Sequence, residues 1–129
     1  MKREAKAILP ILLLLFAAPT MAQDNIRLAC SPRAFQVLPA EPVRVALTVE
    51  ADSAAPVRMH IPADPLLALR AVEKSPVERT KEGVFVHKWV AIWQALEPGA
   101  VKLCGVSAET RGRKLLFPEI TITVSDPGR

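Results

Sequence analysis

From residue 26 onward, apolar and polar residues alternate in short runs, which is the pattern of half-buried β-strands. The clearest run is 43–50, where the apolar side chains of Val43, Val45, Leu47 and Val49 share one face. Shorter runs of the same kind occupy 26–30 and 57–61, and Pro56 and Pro62 bracket the second of these. A longer run at 114–125 places Ile120, Ile122 and Val124 on one face. Each of these runs predicts a strand.

The segment 84–96 is the most apolar part of the chain after the N-terminus, and it has apolar residues on both faces. This pattern predicts a central strand, or one that bends midway. Glu97-Pro98-Gly99 predicts a turn, so that 84–96 and the next strand at 100–110 are expected to pair as a hairpin. Arg111-Gly112-Arg113 predicts another turn.

Two segments in the middle of the chain have weaker patterns. Residues 66–72 fit a short helix, with Asp64 as its cap and Pro65 at its first position, or a strand. A strand or a short turn is favoured because the apolar run ends quickly and charged residues follow. Residues 74–82 are polar and predict a loop or an exposed edge.

The predicted strands and turns together indicate an all-β fold. Six or seven short strands with turn signals about every ten residues are typical of a β-sandwich. The 12 prolines and the lack of helical periodicity agree with this. We therefore predict an immunoglobulin-like β-sandwich of about seven strands over residues 23–129.

The first 22 residues have the features of a cleavable signal peptide. Lys2, Arg3 and Lys6 form a positive start, 7–18 is apolar, and Thr20-Met21-Ala22 supplies small residues for cleavage. The apolar run is about 12 residues, too short for the roughly 20 of a membrane-spanning helix. Cys30 is not expected to be lipidated, because Arg27 stands where a lipobox has an aliphatic residue. The mature chain is expected to be periplasmic or secreted, without stable membrane insertion.

An exported chain with two cysteines favours a disulfide between Cys30 and Cys104. It would close a loop of about 75 residues and contribute about 4 kcal/mol in the chain-entropy model. Two buried free thiols are the alternative. Val101 and Leu103 facing inward would turn Cys104 outward, so the bond requires an irregularity, for which Gly105 is suited, or a place at the margin of the sandwich.

The charge of the chain gives no indication of nucleic-acid binding. Removal of residues 1–22 takes away three basic residues and one acidic residue, so the net charge falls from +4 to +2. Basic clusters with interleaved aromatics, which mark single-strand binding, do not occur in the sequence. The basic run Arg111-Gly112-Arg113-Lys114 fits a solvated hairpin tip or a contact with the acidic surface of a partner.

Motifs for catalysis, cofactor binding or metal binding are missing from the sequence, so we expect no enzyme, no cofactor and no metal. His60 is predicted to face outward, and His87 lies in the aromatic-rich segment. Met59 and His60 would suit Cu(I), but two histidines and a methionine are too few for a convincing set of ligands. Met59 in the core and His60 on the surface is the favoured interpretation.

Phe85, Trp89 and Trp93 are four residues apart and share one face of a strand. Such a row suits either a carbohydrate-binding platform or the core of a sandwich, which commonly buries a tryptophan between its sheets. Core packing is favoured.

An ordered series of segments resembles one known family. The series consists of Val84-Phe85-Val86-His87-Lys88-Trp89, Leu96-Glu97-Pro98-Gly99-Ala100-Val101, Gly105-Val106-Ser107-Ala108 and Phe117-Pro118-Glu119-Ile120-Thr121-Ile122-Thr123-Val124, with Glu41-Pro42-Val43 ahead of it. It resembles a module of the BatD-type aerotolerance proteins. The resemblance implies an immunoglobulin-like fold and protein–protein contact at the cell envelope. Those proteins are multidomain and membrane-anchored, and a cysteine pair is not expected in them, whereas this chain shows one module and two cysteines.

The sequence thus favours an exported, non-enzymatic interaction module whose partner is an envelope or membrane-anchored protein. The alternative is a module that binds a small ligand, a peptide or a glycan, including an inhibitor of an exported hydrolase.

Overall fold

The computed structural model describes residues 25–128, and this part of the chain contains strands and no helix. The predicted signal peptide, residues 1–22, lies outside the described residues. The strands are β1 (Ile26–Ser31), β2 (Ala34–Val37), β3 (Pro42–Ala51), β4 (Arg58–His60), β5 (Leu67–Lys74), β6 (Glu78–Arg79), β7 (Phe85–Ala95), β8 (Gly99–Leu103), β9 (Ser107–Thr110), β10 (Arg113–Leu116) and β11 (Ile120–Val124).

The first sheet has the order β1-β3-β7-β5 and is antiparallel throughout, with the short β6 also paired to β7. Its central ladder joins β3 to β7, from Pro42 opposite Gln94 to Ala51 opposite Phe85. The alternating side chains of β3 that the sequence predicted to share a face, Val43, Val45, Leu47 and Val49, are all fully buried. This face of the sheet forms one side of the hydrophobic core.

The second sheet consists of two three-stranded pieces, β2-β11-β8 and β10-β9-β4. β8 and β9 are successive parts of one strand path, which is interrupted at 104–106. β10 and β11 are successive parts of a second path, which is interrupted at 117–119. The two interruptions lie beside each other, because the Phe117 N–H donates to the Val106 carbonyl (2.9 Å). β2 runs parallel to β11, so the chain passes from the first sheet to the second between β1 and β2.

The strand order identifies the fold. The order β1-β3-β7-β5 is the A-B-E-D sheet of an immunoglobulin domain, and β4, β8–β9 and β10–β11 are strands C, F and G of the facing sheet. The described residues therefore form an immunoglobulin-like β-sandwich, which confirms the predicted fold class.

An irregularity near Cys104, which the sequence indicated as one condition for a disulfide, is present without the disulfide. The inward-facing residues of β8 are Val101 and Leu103, whereas those after the interruption are Val106 and Ala108. The spacing of the inward-facing positions thus shifts by one residue, as at a β-bulge. Cys104 is exposed, as the alternation of β8 predicted.

The predicted hairpin between 84–96 and 100–110 is wrong. β7 pairs with β3 and β5, whereas β8 pairs with β11 in the other sheet. Hydrogen bonds from Ala95 N to Glu41 O (3.0 Å) and from Leu96 N to Leu66 O (2.9 Å) hold the end of β7 in the first sheet. The turn that follows therefore crosses the sandwich.

The segment 66–72 is a strand, β5, as favoured, and the helix alternative is wrong. Asp64 does not cap a helix. Its carboxylate accepts a hydrogen bond from Leu66 N (3.0 Å) within a turn, and its backbone forms a bridge with Leu67. β2 was not predicted from the sequence.

Both tryptophans lie in the core, which confirms the interpretation of the aromatic row as core packing. Trp93 is completely buried and Trp89 is 5% exposed. The Trp93 indole N–H donates to the Pro62 carbonyl (2.9 Å), just beyond β4. This bond connects the two sheets and fixes the end of β4 over β7.

Candidate functional site

The outer face of β4, β9 and β10 carries the residues that form the candidate site. The strand register aligns them in two rows across the three strands. Arg58, Glu109 and Lys114 form one row, and His60, Ser107 and Leu116 form the other. Directly opposed residues of antiparallel strands point to the same side of a sheet, so both rows face outward.

Two adjoining hollows follow these rows. One has a volume of about 300 Å³ and is lined by Arg58, Met59, His60, Ser107, Glu109 and Lys114. The other has a volume of about 510 Å³ and is lined by Pro56, Val57, Arg58, Glu109, Thr110, Arg111, Gly112, Arg113 and Lys114. Because the hollows share Arg58, Glu109 and Lys114, they form one continuous depression, which we call the β4 groove.

The β4 groove is basic. Arg58, Arg111, Arg113 and Lys114 line it, and Glu109 is its acidic lining residue. Arg58 Nη2 lies 3.3 Å from Glu109 Oε1, with the Arg58 side chain 82% exposed. A pair this exposed contributes little to stability, so the Arg58 guanidinium can turn to another carboxylate at small cost.

A tight turn positions the basic residues at the end of the groove. Thr110 is opposite Arg113, so the β9–β10 hairpin has a two-residue loop. Its residues, Arg111 and Gly112, have φ angles of 53° and 73°, as a type I′ turn requires. Arg111 Nη1 also lies 3.2 Å from Asp52 Oδ1, which ties the turn to the loop before β4.

Ser107 lies at the floor of the smaller hollow. It is fully buried, and its Oγ has no hydrogen-bond partner among residues 25–128. An unsatisfied buried hydroxyl costs about 1–3 kcal/mol. Because this oxygen has almost no accessible surface, a polar group in the hollow would reach it only if the side chains that cover it moved.

The structure separates the two histidines. His60 is exposed at the groove, whereas His87 is 4% exposed on the inner face of β7 and stacks on Trp89, with 6.0 Å between ring centroids. Burial is the main cause that lowers the pKa of His87, and the charge of Lys74 adds to it. Within residues 25–128, no group of three or more His, Cys, Asp or Glu side chains is placed to hold a metal ion.

The predicted Cys30–Cys104 disulfide is not formed in this structure, and both thiols are free. Cys30 lies on β1 of the first sheet, with its Sγ near the Pro118 carbonyl, whereas Cys104 follows β8 of the second sheet, with its Sγ hydrogen-bonded to Glu119. A disulfide requires the two Cα atoms to lie roughly 4.4–6.8 Å apart with their Cβ atoms directed toward each other. The disulfide therefore stays a prediction that would require local movement of the chain.

Each thiol has its own environment. Cys30 is buried, with its Sγ 3.8 Å from the Pro118 carbonyl, and burial raises its pKa. The exposed Cys104 thiol donates to Glu119 Oε2 (3.1 Å). This hydrogen bond is the main cause that raises the pKa of Cys104.

The aromatic row gives no exposed platform for a sugar. The two tryptophans are buried, Lys74 Nζ lies 5.4 Å from the Trp89 ring centre, and the Arg79 guanidinium lies 5.6 Å from the Phe85 ring centre. These cations cover the edge of the row on the side of β5 and β6.

Sequence reasoning found only one end of the β4 groove, the basic turn at 111–114. It missed Arg58, Ser107 and Glu109 as members of one site. Arg58 and Glu109 are 51 positions apart in the chain, and only the register of β4 on β9 brings them together.

Comparison with known proteins gives a distant structural similarity. The sequence matches no protein-family model and no curated protein. The fold is similar to the BIgI domain of the beta protein from S. agalactiae, solved bound to CEACAM1, with a TM-score of 0.46 and 14% identity over 78% of this chain and 96% of that chain. The similarity is too distant for a comparison of individual residues, and the predicted BatD-type resemblance is not shown.

Proposed function

We propose that this chain is an exported, non-enzymatic immunoglobulin-like module that binds another protein of the bacterial cell envelope through the β4 groove. The observation that carries this proposal is the groove itself, an open basic depression with an unsatisfied buried hydroxyl at its floor. The export part rests on the signal-peptide pattern of residues 1–22.

The charges of the groove indicate the kind of surface that it recognises. Four basic residues and one acidic residue line it, so its potential attracts an acidic surface. Exposed charges are screened by salt, with a Debye length of about 8 Å at physiological ionic strength. Binding is therefore expected to weaken as salt is added.

The groove favours binding over catalysis. Ser107 and His60 are cross-strand neighbours, but a serine nucleophile requires a base that accepts its proton. The Ser107 hydroxyl forms no hydrogen bond with His60 or with any other described residue. The proposed module therefore acts by contact.

The experiment that tests the proposal is capture from an envelope extract, with the exported protein as bait. In the test variant, Arg58→Glu and Lys114→Glu reverse two groove charges. In the control, Arg27→Glu and Lys88→Glu reverse two exposed charges on the outer face of the first sheet, with the same change in net charge. We expect the groove variant to lose a specific partner and the control to retain it.

The outcomes separate the interpretations. Equal capture by wild type and both variants would show that the groove is not the binding surface. Equal loss from both variants would indicate a nonspecific effect of net charge.

A small acidic ligand or peptide is the second candidate, favoured by the hollow of about 300 Å³ that Arg58, His60 and Lys114 line. In that case His60→Ala, which changes only the smaller hollow, would reduce binding of the ligand, while capture of a protein partner would be unchanged.

A further inference from the structure

β4 is an open edge of its sheet. It has three residues and pairs with β9 on one side, and in the described part of the chain no strand pairs with its other side. Backbone N–H and C=O groups on such an edge are free to pair with an added strand. The inward side chains along this segment, Val57, Met59 and Ile61, are only half-buried.

The facing strand, β5, shows what the open edge leaves uncovered. Val72 is opposite Ala91, so both side chains point to the inner face of the first sheet. Ala91 is fully buried, whereas Val72 is 44% exposed. Lys74, opposite the buried Trp89, is also exposed on this inner face. The second sheet therefore buries the inner face of β3 and β7 but leaves the inner face of β5 partly exposed to solvent.

The positions of the sheets explain this gap in cover. The hydrogen bond from Trp93 to Pro62 places the end of β4 over β7. β5 lies beyond β7 at the edge of the first sheet, and β4 is the last strand of the second. A strand added beside β4 would thus face β5, because packed sheets lie about 10 Å apart with roughly aligned strands.

We propose that the partner contributes an extended strand that pairs with the free edge of β4. This added strand rests on the proposed function, since it is the way in which the same partner engages the β4 groove. Side chains on one face of the added strand lie beside Arg58 and His60, and side chains on the other face lie over Val72. The partner segment is therefore one in which acidic and apolar residues alternate.

The charges of the groove argue against a second copy of this chain as the occupant. Pairing of β4 with β4 of another copy would bring the Arg58 side chains of the two copies close together and would join the two basic grooves end to end. Like charges held side by side oppose such pairing. An acidic strand meets no such opposition.

Two synthetic peptides test the strand addition. One is a nine-residue peptide in which valine and glutamate alternate, and the other has the same composition with the valines and glutamates in separate blocks. Binding by charge alone would be equal for the two peptides, because their net charges are the same. Pairing as a strand is expected only for the alternating peptide, whose valines lie on one face and glutamates on the other. Binding is measured by titration, and protection of amides from hydrogen exchange locates the peptide on the isotope-labelled protein.

A pair of variants locates the inner contact. Val72→Asp places a charge on the uncovered face, and Val77→Asp is its control, because Val77 is equally exposed (43%) but lies between β5 and β6. Both residues are near half exposure, so both variants are expected to fold. We expect the alternating peptide to protect amides at 58–60 and to bind about tenfold more weakly to the Val72→Asp variant only.

Equal binding of both peptides, no protection at 58–60, or equal affinity of the two valine variants would each overturn the strand addition. The proposed function fails separately, if reversal of the Arg58 and Lys114 charges leaves protein capture unchanged. Capture that depends on these charges but not on Val72 would retain the groove as the binding site and remove only the added strand.

Discussion

The hydrogen bond between the Trp93 indole and the Pro62 carbonyl provides the sharpest test of how the two sheets are held together. Trp93→Phe removes the indole N–H and part of the ring while leaving an aromatic side chain in the core. Trp89→Phe is the matched control. Trp89 is almost as buried and lies on the same face of β7, but its side chain forms no hydrogen bond with the described residues.

The magnitudes separate the two variants. Replacing tryptophan by phenylalanine removes about 40 Å³, which costs about 1 kcal/mol at roughly 24 cal/mol per Å³ of cavity. The lost hydrogen bond leaves the Pro62 carbonyl without its partner, at a further cost of about 1–3 kcal/mol. We therefore expect Trp93→Phe to lower the free energy of unfolding by about 2–4 kcal/mol. Trp89→Phe is expected to cost about 1–1.5 kcal/mol, including its weakened contact with the Lys74 ammonium.

Urea unfolding followed by circular dichroism measures both values, with an unchanged m-value as the sign that both variants unfold like the wild type. Hydrogen exchange adds a local readout. Loss of the bond should speed exchange of the β4 amides in Trp93→Phe and leave them unchanged in Trp89→Phe. Equal destabilisation of the two variants would refute the argument that this bond ties β4 to the first sheet.

Three further predictions concern titration and packing. Burial is the main cause that lowers the pKa of His87 in the folded state. As the pH falls below about 6.5, the unfolded chain therefore binds a proton at His87 before the folded chain does, and the folded state loses stability. The urea midpoint should therefore fall between pH 7 and pH 5, and it should fall less in His87→Gln. Gly99→Ala should cost about 1–3 kcal/mol of unfolding free energy, because the added Cβ would lie 2.7 Å from a leucine side-chain carbon. Gly83→Ala should also cost about 1–2 kcal/mol, because its φ of +86° is strained for a residue with a Cβ even though that Cβ meets nothing within 4 Å; unchanged midpoints in thermal unfolding would contradict both expectations. Glu119→Gln should speed the alkylation of Cys104 by iodoacetamide at pH 8, because the hydrogen bond to the Glu119 carboxylate raises the pKa of that thiol; an unchanged rate would show that the bond does not control it.

The sequence predicted the strands that show a clear alternation of apolar and polar residues within their own length. β3 and β11 show strict alternation over enough residues to define an inward face, and their inward residues are buried as expected. An irregularity near Cys104 was expected only as one of two conditions for the disulfide, and it is present although the disulfide is not formed. β2 was missed because its four residues are too short for a convincing pattern.

The choice of sheet could not be predicted from local signals. Glu97-Pro98-Gly99 has the composition of a hairpin turn, yet it crosses the sandwich. The sheet to which each strand belongs is decided by pairing partners that are distant in sequence. Leu66 and Glu41 bond the end of β7, and β11 bonds β8. A turn motif carries no information about such partners.

The candidate site was hidden for the same reason. Nothing in the sequence relates Arg58 to Glu109, or indicates that Ser107 faces outward yet is buried. The predicted disulfide rested on the presence of two cysteines and an export pattern, and neither shows that Cys30 lies in the first sheet while Cys104 follows a strand of the second. Pairings across a sheet depend on strand order, which the sequence alone did not provide.

The interruption of the second sheet has a consequence for local unfolding. Across it, the backbone bond from Phe117 to Val106 links the two strand paths, whereas the ladder from β3 to β7 is continuous over ten residues of β3. The piece formed by β4, β9 and β10 can therefore open as a cooperative unit at a lower free energy than the first sheet. Its amides exchange with solvent sooner than those of β3, and a partner strand added at β4 raises the free energy of that opening.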